Sequence, residues 1–490
     1  MIPIQDSLTA AWRYHQAGDA SRAGQIARQI LQADPHHFDS LCLLGDVSRT
    51  LGDLDQAVVS YRRAALLRPD HAETALDLGN CLFLQKRFDE AAASYRRALQ
   101  LRPDYPQAHT NLGSVLQEQG QLETAVACHR EAARIDSQFV DAHFNLANAC
   151  KELGRNVEAV AGYTAALRLR PNFAEAHLNL GLVLLLMGRL EEGWPHYEWR
   201  FQCGQPVPRS FAAPQWDGSS LPGQTLLVHA EQGCGDILMF VRYNGLVKRA
   251  SGMRIVLECP AAMMRLLSQL PDVDQWVARG SELPDFDAHA PLLSLPAICR
   301  SSLATIPAEV PYLAADATLR ETWQRRLNRP HTFNIGIAWQ GDPTYRWDRL
   351  RSIPLERFSP LADIEGVRLY SLQKGPGTEQ LHDIEGWFSV DDLGGQLDNS
   401  SGAFMDTAAV MMNLDLVISP DTAVAHVAGA LGVVTWLVLP TVPHWPWMLD
   451  REDTPWYPTM RLFRQRRPGQ WGEVFERMTR TLRQASSRGT

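Results

Sequence analysis

The sequence predicts an α-helical repeat array followed by an α/β region of two lobes, each built on a parallel sheet. Three observations carry that reading. Small and aromatic residues recur every 34 positions through the first 200 residues. The stretch TLLVHAEQGCGDILMF (225–240) runs from an apolar strand through a glycine turn into a helix. The stretch LDLVISPDTAVAHVAGALGVVTWLVLP (414–440) runs strand, tight turn, helix, strand. Strands joined through helices in this way lie parallel.

Bulk properties narrow the class of protein. The 490 residues imply about three domains. At 45% hydrophobic and 21% charged the composition is that of a globular protein. A net charge of −8 gives no reason to expect nucleic acid as a partner. The short basic cluster Arg461, Arg464, Arg466, Arg467 reads as a solvated edge. Eight cysteines stand singly, without metal-ligand spacing, as thiols of a reducing compartment do. The opening MIPIQDSLTAAWRYHQ lacks the pattern of a signal peptide, and the apolar run Leu182–Met187 is too short to span a bilayer. A cytoplasmic protein without a transmembrane segment is expected.

Residues 1–200 carry the repeat. Pro35, Pro69, Pro103 and Pro171 are spaced by 34 or its double, with Ser137 in the gap. Gly45, Gly79, Gly113 and Gly181 follow the same interval, with Ala147 in the missing slot. So do Ala57, Ala91, Ala125 and Ala159, and Tyr61, Tyr95, His129, Tyr163 and Tyr197. Gly18, Gly52, Gly120, Gly154 and Gly188 mark the turns between paired helices. Small residues let one helix pack closely on the next, the aromatic fills the gap, and proline breaks the chain between units. The columns resemble the tetratricopeptide repeat (TPR) family, with roughly five complete repeats after a partial first unit. Such arrays form concave binding surfaces and rarely catalyse. His109, His143 and His177 also recur at 34, as do Asn111, Asn145 and Asn179. These are either polar filler or a ladder of amides able to bind the backbone of an extended peptide without reading its sequence.

Residues 201–223, dense in Pro, Gly and Ser, read as an ordered linker. The first lobe is expected over 224–330. TLLVHA is a strand, EQGCGD a turn, ILMFVRYNGLVKRA a helix, RIVLECP a strand and AAMMRLLSQL a helix. Ligands of such sheets sit at the carboxyl ends of strands, where Gly233, Gly235 and Asp236 fall. Asp236 is either an N-cap or a chemical group. The DxD strings Asp272–Asp274 and Asp285–Asp287 read as structural, because three-letter patterns recur too easily to carry a metal site.

The second lobe is expected over 331–490. FNIGIAWQG is a strand ending in a glycine turn, followed by a polar loop with Arg346, Arg349 and Arg351. Guanidinium forks match phosphate oxygens, although the same loop could be plain surface charge. RLYSLQKG is a strand ending at Lys374, and Gly402–Asn413 a helix leading to the 414–440 unit. There Asp421 is placed to cap a helix running from Thr422 to Leu431. Its free N–H groups at Thr422 and Ala423 carry about half a positive charge, which suits phosphate. His426 projects from the same face one turn deeper. A structural crossover, with a capping Asp and a satisfied His, fits the same pattern.

DTAVAHVAGALG resembles the D-T-G-x-x-H-x-x-x-A-L-G signature of glycosyltransferase family 9, the bacterial heptosyltransferases, and the sugar-nucleotide lobe of TPR-bearing O-GlcNAc transferases. Ala423 departs from their usual glycine. EQGCGDILMF resembles the G-D-(V/I)-(L/I) opening of family 9 enzymes. The resemblance runs from about 225 to 465 in order and spacing. It implies a GT-B fold of two Rossmann-like lobes and an inverting, metal-independent glycosyltransferase using a nucleotide-sugar donor, with no cofactor. Asp236 would be the catalytic base. Arg349, Arg351, Lys374, Asp421, Thr422, Ala423 and His426 would hold the donor, and Gly233 and Gly235 would allow close approach of a ligand. Similarity to the asparagine ladder of O-GlcNAc transferases implies a protein acceptor at Asn111, Asn145 and Asn179, as in bacterial flagellin glycosyltransferases of this layout. The rivals are a transferase acting on lipopolysaccharide or another cell-surface glycan, and a TPR scaffold with inactive transferase lobes.

Overall fold

The computed structural model describes residues 3–204, 206–327, 331–345 and 348–486. It divides into two compact units, residues 1–180 and 181–490.

The first unit is a solenoid of antiparallel helix pairs. Ile4–Gln16 packs on Ala20–Ala33, Phe38–Thr50 on Leu54–Leu67, and Ala72–Leu84 on Phe88–Leu101. Pro106–Glu118 then packs on Leu122–Ile135, and Val140–Glu152 on Asn156–Leu169. Ala174–Leu186 and Leu190–Tyr197 continue the series into the second unit. The recurring columns explain the packing. A Cβ on Gly45 would stand 2.6 Å from the Tyr61 ring, and one on Gly79 2.5 Å from Tyr95. The buried tyrosines then each donate to a residue fifteen positions earlier: Tyr61 to Asp46, Tyr95 to Asn80, Tyr163 to Asn148. At the turns Gly18, Gly52, Gly120, Gly154 and Gly188 all have positive φ, and Lys86 takes the same conformation in the slot that lacks glycine.

The first repeat, Ile4–Gln16 with Ala20–Ala33, is a full helix pair rather than the partial repeat expected. Ala11, Ala23 and Ala27 stand, fully buried, at its glycine, alanine and tyrosine positions, so helices meet there without the aromatic that marks later repeats.

The second unit holds two parallel sheets. The first has the order β3-β2-β1-β4, with β1 Thr225–His229, β2 Arg254–Cys259, β3 Gln275–Ala278 and β4 Ala288–Pro291. The second has the order β10-β9-β8-β5-β6-β7, with β5 Phe333–Ile337, β6 Val367–Ser371, β7 Val390–Asp392, β8 Leu416–Pro420, β9 Thr435–Leu439 and β10 Met460–Arg464. Its core packs Ile335, Ile337, Leu369, Ile418 and Val438 against Phe358, Val474 and Phe475.

The linker expected at 201–223 joins the first sheet. Trp216 N–H donates to His289 O, His289 N–H donates to Pro214 O, and Trp216 is buried. The long helix expected after the glycine turn is two, Cys234–Phe240 and Tyr243–Ser251. Between them Arg242 turns inward, donating from Nε to Met239 O at 2.8 Å. The loop after β5 contains one helical turn, Asp348–Arg351, in which Arg351 Nε reaches Asp348 at 2.9 Å.

Candidate active site

The helix after β1 and the helix after β8, Ala423–Ala430, pack against each other at the carboxyl ends of their strands. Gly235 makes that approach possible: a Cβ there would stand 3.0 Å from His426 Cδ2. Asp236, the third residue of its helix, therefore faces the start of the other one. Gly233 is the N-cap of Cys234–Phe240, with extended backbone.

Asp421 does not cap its helix. Thr422 occupies the N-cap position in an extended conformation, and no side chain caps the first turn. Thr422 Oγ1 lies 3.0 Å from Ser419 Oγ, while Asp421 Oδ1 lies 3.8 Å from His426 Nε2. Ala423, the first helical residue, thus begins a turn whose N–H groups have no side-chain partner, the arrangement that receives an anion. Arg351 reaches this turn as well, its Nη1 donating to Asp421 O at 2.6 Å. Gly341 leaves room for it, because a Cβ there would stand 2.4 Å from Arg351 Nη2.

Electrostatics separates the two carboxylates. Burial drives the Asp236 carboxyl above its usual range, and the Asp421 charge adds to this, outweighing His444 and His426. Burial also acts to raise Asp421, but His426, its Nε2 3.8 Å away, together with His444 and Arg351, overcomes it and holds the group at about 2. One carboxyl is thus tuned toward accepting a proton while its neighbour stays ionised, the division found where acid–base work is shared.

The remaining expected residues have these surroundings. Lys374, beyond β6, donates to Leu397 O and to Asn399 Oδ1 at 3.3 Å. Arg349 is exposed on the helical turn that carries Arg351, and Arg346 lies outside the described residues. In the first unit Asn111 Nδ2 donates to Asn80 at 2.8 Å and Asn179 Nδ2 to Asn148 at 3.1 Å. Asn179 Oδ1 also accepts from Lys151 at 3.0 Å. These two amides already link successive repeats, whereas Asn145 has Ser114 at the corresponding place. His109, His143 and His177 are not rungs: their Nε2 atoms bond Pro103 O, Ser137 O and Pro171 O in the turns before their own helices. Asp274 is structural, bonded to Lys248 Nζ at 2.7 Å and Ile255 N–H at 2.8 Å. Among the described residues no group of three or more His, Cys, Asp or Glu is placed to hold a metal ion.

Sequence reasoning missed three groups. His444 opens the HWPW turn and acts on both Asp236 and Asp421. Tyr457 Oη lies 2.9 Å from His426 Nδ1. Glu231, in the turn before Asp236, is buried with Arg200 Nη2 at 3.0 Å, and burial pushes its carboxyl up to about 6 against that guanidinium. The HWPW string was the one local signal for any of them.

The TPR repeat family matches residues 79–120, 113–154 and 147–188, and the tetratricopeptide repeat matches residues 38–71. Protein FlbA of Caulobacter vibrioides is 25% identical over 334 residues, covering 61% of this chain. The chain matches only 54% of that relative's length. Similar solved structures include MamA (25% identity, 34% of this chain and 96% of the other, TM-score 0.32). Others are PilF of Pseudomonas aeruginosa (20%, 42% and 93%, TM-score 0.38) and PilW, a widely conserved type IV pilus biogenesis factor (22%, 43% and 96%, TM-score 0.39). Among the described residues no helix is long and apolar enough to cross a membrane. The N-terminal region is a TPR solenoid, and an α/β region of Rossmann-like parallel sheets follows it.

Proposed function

We propose that the chain is an inverting glycosyltransferase of GT-B type, moving a sugar from a nucleotide-sugar donor to a hydroxyl of a protein acceptor bound by the TPR repeats. One observation supports this above the others: Asp236 faces His426 and Asp421 across two helix starts, each at the carboxyl end of a parallel strand. In this reading the uncapped turn at Thr422 and Ala423, with Arg351 and His426, holds the donor's phosphates, and Lys374 reaches the nucleotide. Asp236 takes the proton from the acceptor hydroxyl as its oxygen attacks the anomeric carbon. The bond from that carbon to the phosphate oxygen breaks, and the nucleotide leaves with the electron pair. The helix N-terminus and Arg351 stabilise the charge it carries away. No metal is required where such groups supply the positive charge. Asn145 contributes to acceptor binding through its amide, and Asn111 and Asn179 through the hydrogen-bonding capacity they keep beside their contacts between repeats.

The test is release of free nucleotide from a panel of UDP-, GDP- and CMP-sugars by the full chain, against Asp236→Ala. Release by the wild type with at least one donor, lost in the variant, supports the proposal. Equal silence of both with every donor would leave a binding scaffold as the better description.

A further inference from the structure

Behind His426 lies a buried relay that none of the steps above uses. Tyr457 is fully buried, with Oη 2.9 Å from His426 Nδ1. Next to it Tyr312 Oη accepts from Arg242 Nη2 at 2.7 Å and gives its own proton to Leu238 O at 2.7 Å. Arg242, itself buried, bonds Met239 O, Pro307 O and Trp456 O with its other N–H groups. Its guanidinium carbon stands 4.4 Å from the ring centroids of both Tyr312 and Tyr457.

The protons in this relay can be assigned by counting. A phenol has one proton to give. That of Tyr312 is committed to Leu238 O, so Tyr312 donates nothing to Tyr457. The Arg242 cation beside Tyr457 withdraws electron density from its hydroxyl, making it a stronger donor and a poorer acceptor. Tyr457 O–H has two acceptors in reach, the Tyr312 oxygen and His426 Nδ1. The Asp421 carboxylate facing Nε2 decides between them, because it draws the imidazole proton to Nε2 and leaves Nδ1 bare to accept from Tyr457. An imidazole nitrogen that accepts a hydrogen bond carries no proton, so neutral His426 keeps its proton on Nε2. Nε2 is the nitrogen 3.8 Å from Asp421 Oδ1, on the side where Gly235 approaches. The other face of the imidazole is closed by Trp447, its ring centroid 5.2 Å away.

We propose that Tyr457 is a positioning residue that fixes His426 as the Nε2–H tautomer, so that His426 donates a hydrogen bond to a phosphoryl oxygen and does not serve as a base. The second half rests on the donor-phosphate reading given above; the tautomer does not. The roles then divide cleanly. Asp236 is left as the proton acceptor, and His426 becomes a fixed donor whose second nitrogen is occupied from behind.

The experiment is long-range proton–nitrogen correlation NMR on the full chain with nitrogen-15 histidine, His426 being assigned by its loss in His426→Gln. The expected wild-type spectrum at neutral pH shows Nε2 protonated and Nδ1 as the bare, hydrogen-bonded nitrogen. In Tyr457→Phe, which keeps the ring against Trp447 and Arg242, that bias is lost and Nδ1–H grows in. A wild-type Nδ1–H tautomer overturns the assignment without any variant, so a misfolded Tyr457→Phe does not rescue it. An unchanged tautomer in folded Tyr457→Phe overturns the role of Tyr457. Adding inorganic pyrophosphate at millimolar concentration should shift the Nε2 resonance. No shift, with the Nε2–H tautomer in place, counts against the phosphate reading alone.

Discussion

Replacing His129 with tyrosine should remove an acid-labile point from the TPR solenoid. His129 stands in the column of buried tyrosines, is fully buried, and has no hydrogen-bond partner at either ring nitrogen. The reason is reach. Tyrosine extends far enough to meet the residue fifteen positions earlier, whereas the imidazole stops short and Ser114 turns to Thr110 O. Burial pushes the His129 pKa down from 6.5 to about 4. A base whose folded pKa is depressed supports the fold above its unfolded pKa, and that support is lost as the pH falls. The native state should therefore lose about 1.4 kcal/mol per pH unit below 6.5, or about 3 kcal/mol by the lower end of the window. His129→Tyr with Ser114→Asn rebuilds the pair seen at Tyr95–Asn80 and adds about 1 kcal/mol at neutral pH. Gly113 already leaves the space for the ring. Hydrogen exchange on helices Pro106–Glu118 and Leu122–Ile135, measured near pH 7.5 and near pH 5, reads both effects. Wild type should lose protection at the lower pH more steeply than the double variant. Parallel losses in the two proteins would show that His129 is not the acid-labile point.

Other consequences follow from the same contacts. Gly79→Ala places a Cβ 2.5 Å from the Tyr95 ring and should cost about 1–3 kcal/mol by overpacking; an unchanged thermal melt would contradict it. A chain beginning at residue 181 keeps Trp194, whose Nε1 donates to Ser301 O at 2.8 Å, and Arg200 beside Glu231. One beginning at 201 loses both and leaves Glu231 buried without its cation, a loss of about 3–5 kcal/mol. Equal melting temperatures for the two truncations would show that these contacts are unimportant. Asp236→Asn removes a carboxylate whose raised pKa means that its charge burdens the fold above 3.8. The variant should melt at the same or a higher temperature at neutral pH, with the difference vanishing toward acid; a clear drop at neutral pH would contradict the burial argument.

The solenoid was legible because each column repeats, so one residue's role is checked by the next: Gly45 with Tyr61 predicts Gly79 with Tyr95. The central strands were legible as unbroken apolar runs, such as Leu416–Ile418 in β8. The edges were not. AHAP in β4 and VDD in β7 carry neither length nor alternation, and their strand character comes from the neighbour that pairs with them. Arg242 inside an apolar helix pattern gave no local warning that it would turn inward, because its carbonyl partners at Pro307 and Trp456 are distant in sequence. In the candidate site, Gly235, Asp236, Thr422 and His426 sit in short motifs at strand ends. His444 and Tyr457 reach the same place from an irregular segment, where spacing carries no information. The capping role expected for Asp421 failed because Thr422 takes the N-cap position and the Asp421 carboxylate turns toward His426 Nε2, one turn along, in place of a backbone N–H.

Binding of a nucleotide's phosphates is proposed for the uncapped turn at Thr422, with Arg351 and His426. Thermal shift of the full chain against UDP, GDP, ADP and CMP tests it most directly, because a ligand at a hundred times its Kd stabilises by about 2.7 kcal/mol. At least one of them should raise the melting temperature of the wild type, and Arg351→Ala should abolish the rise. No shift with any nucleotide, or a shift that Arg351→Ala leaves intact, would contradict it.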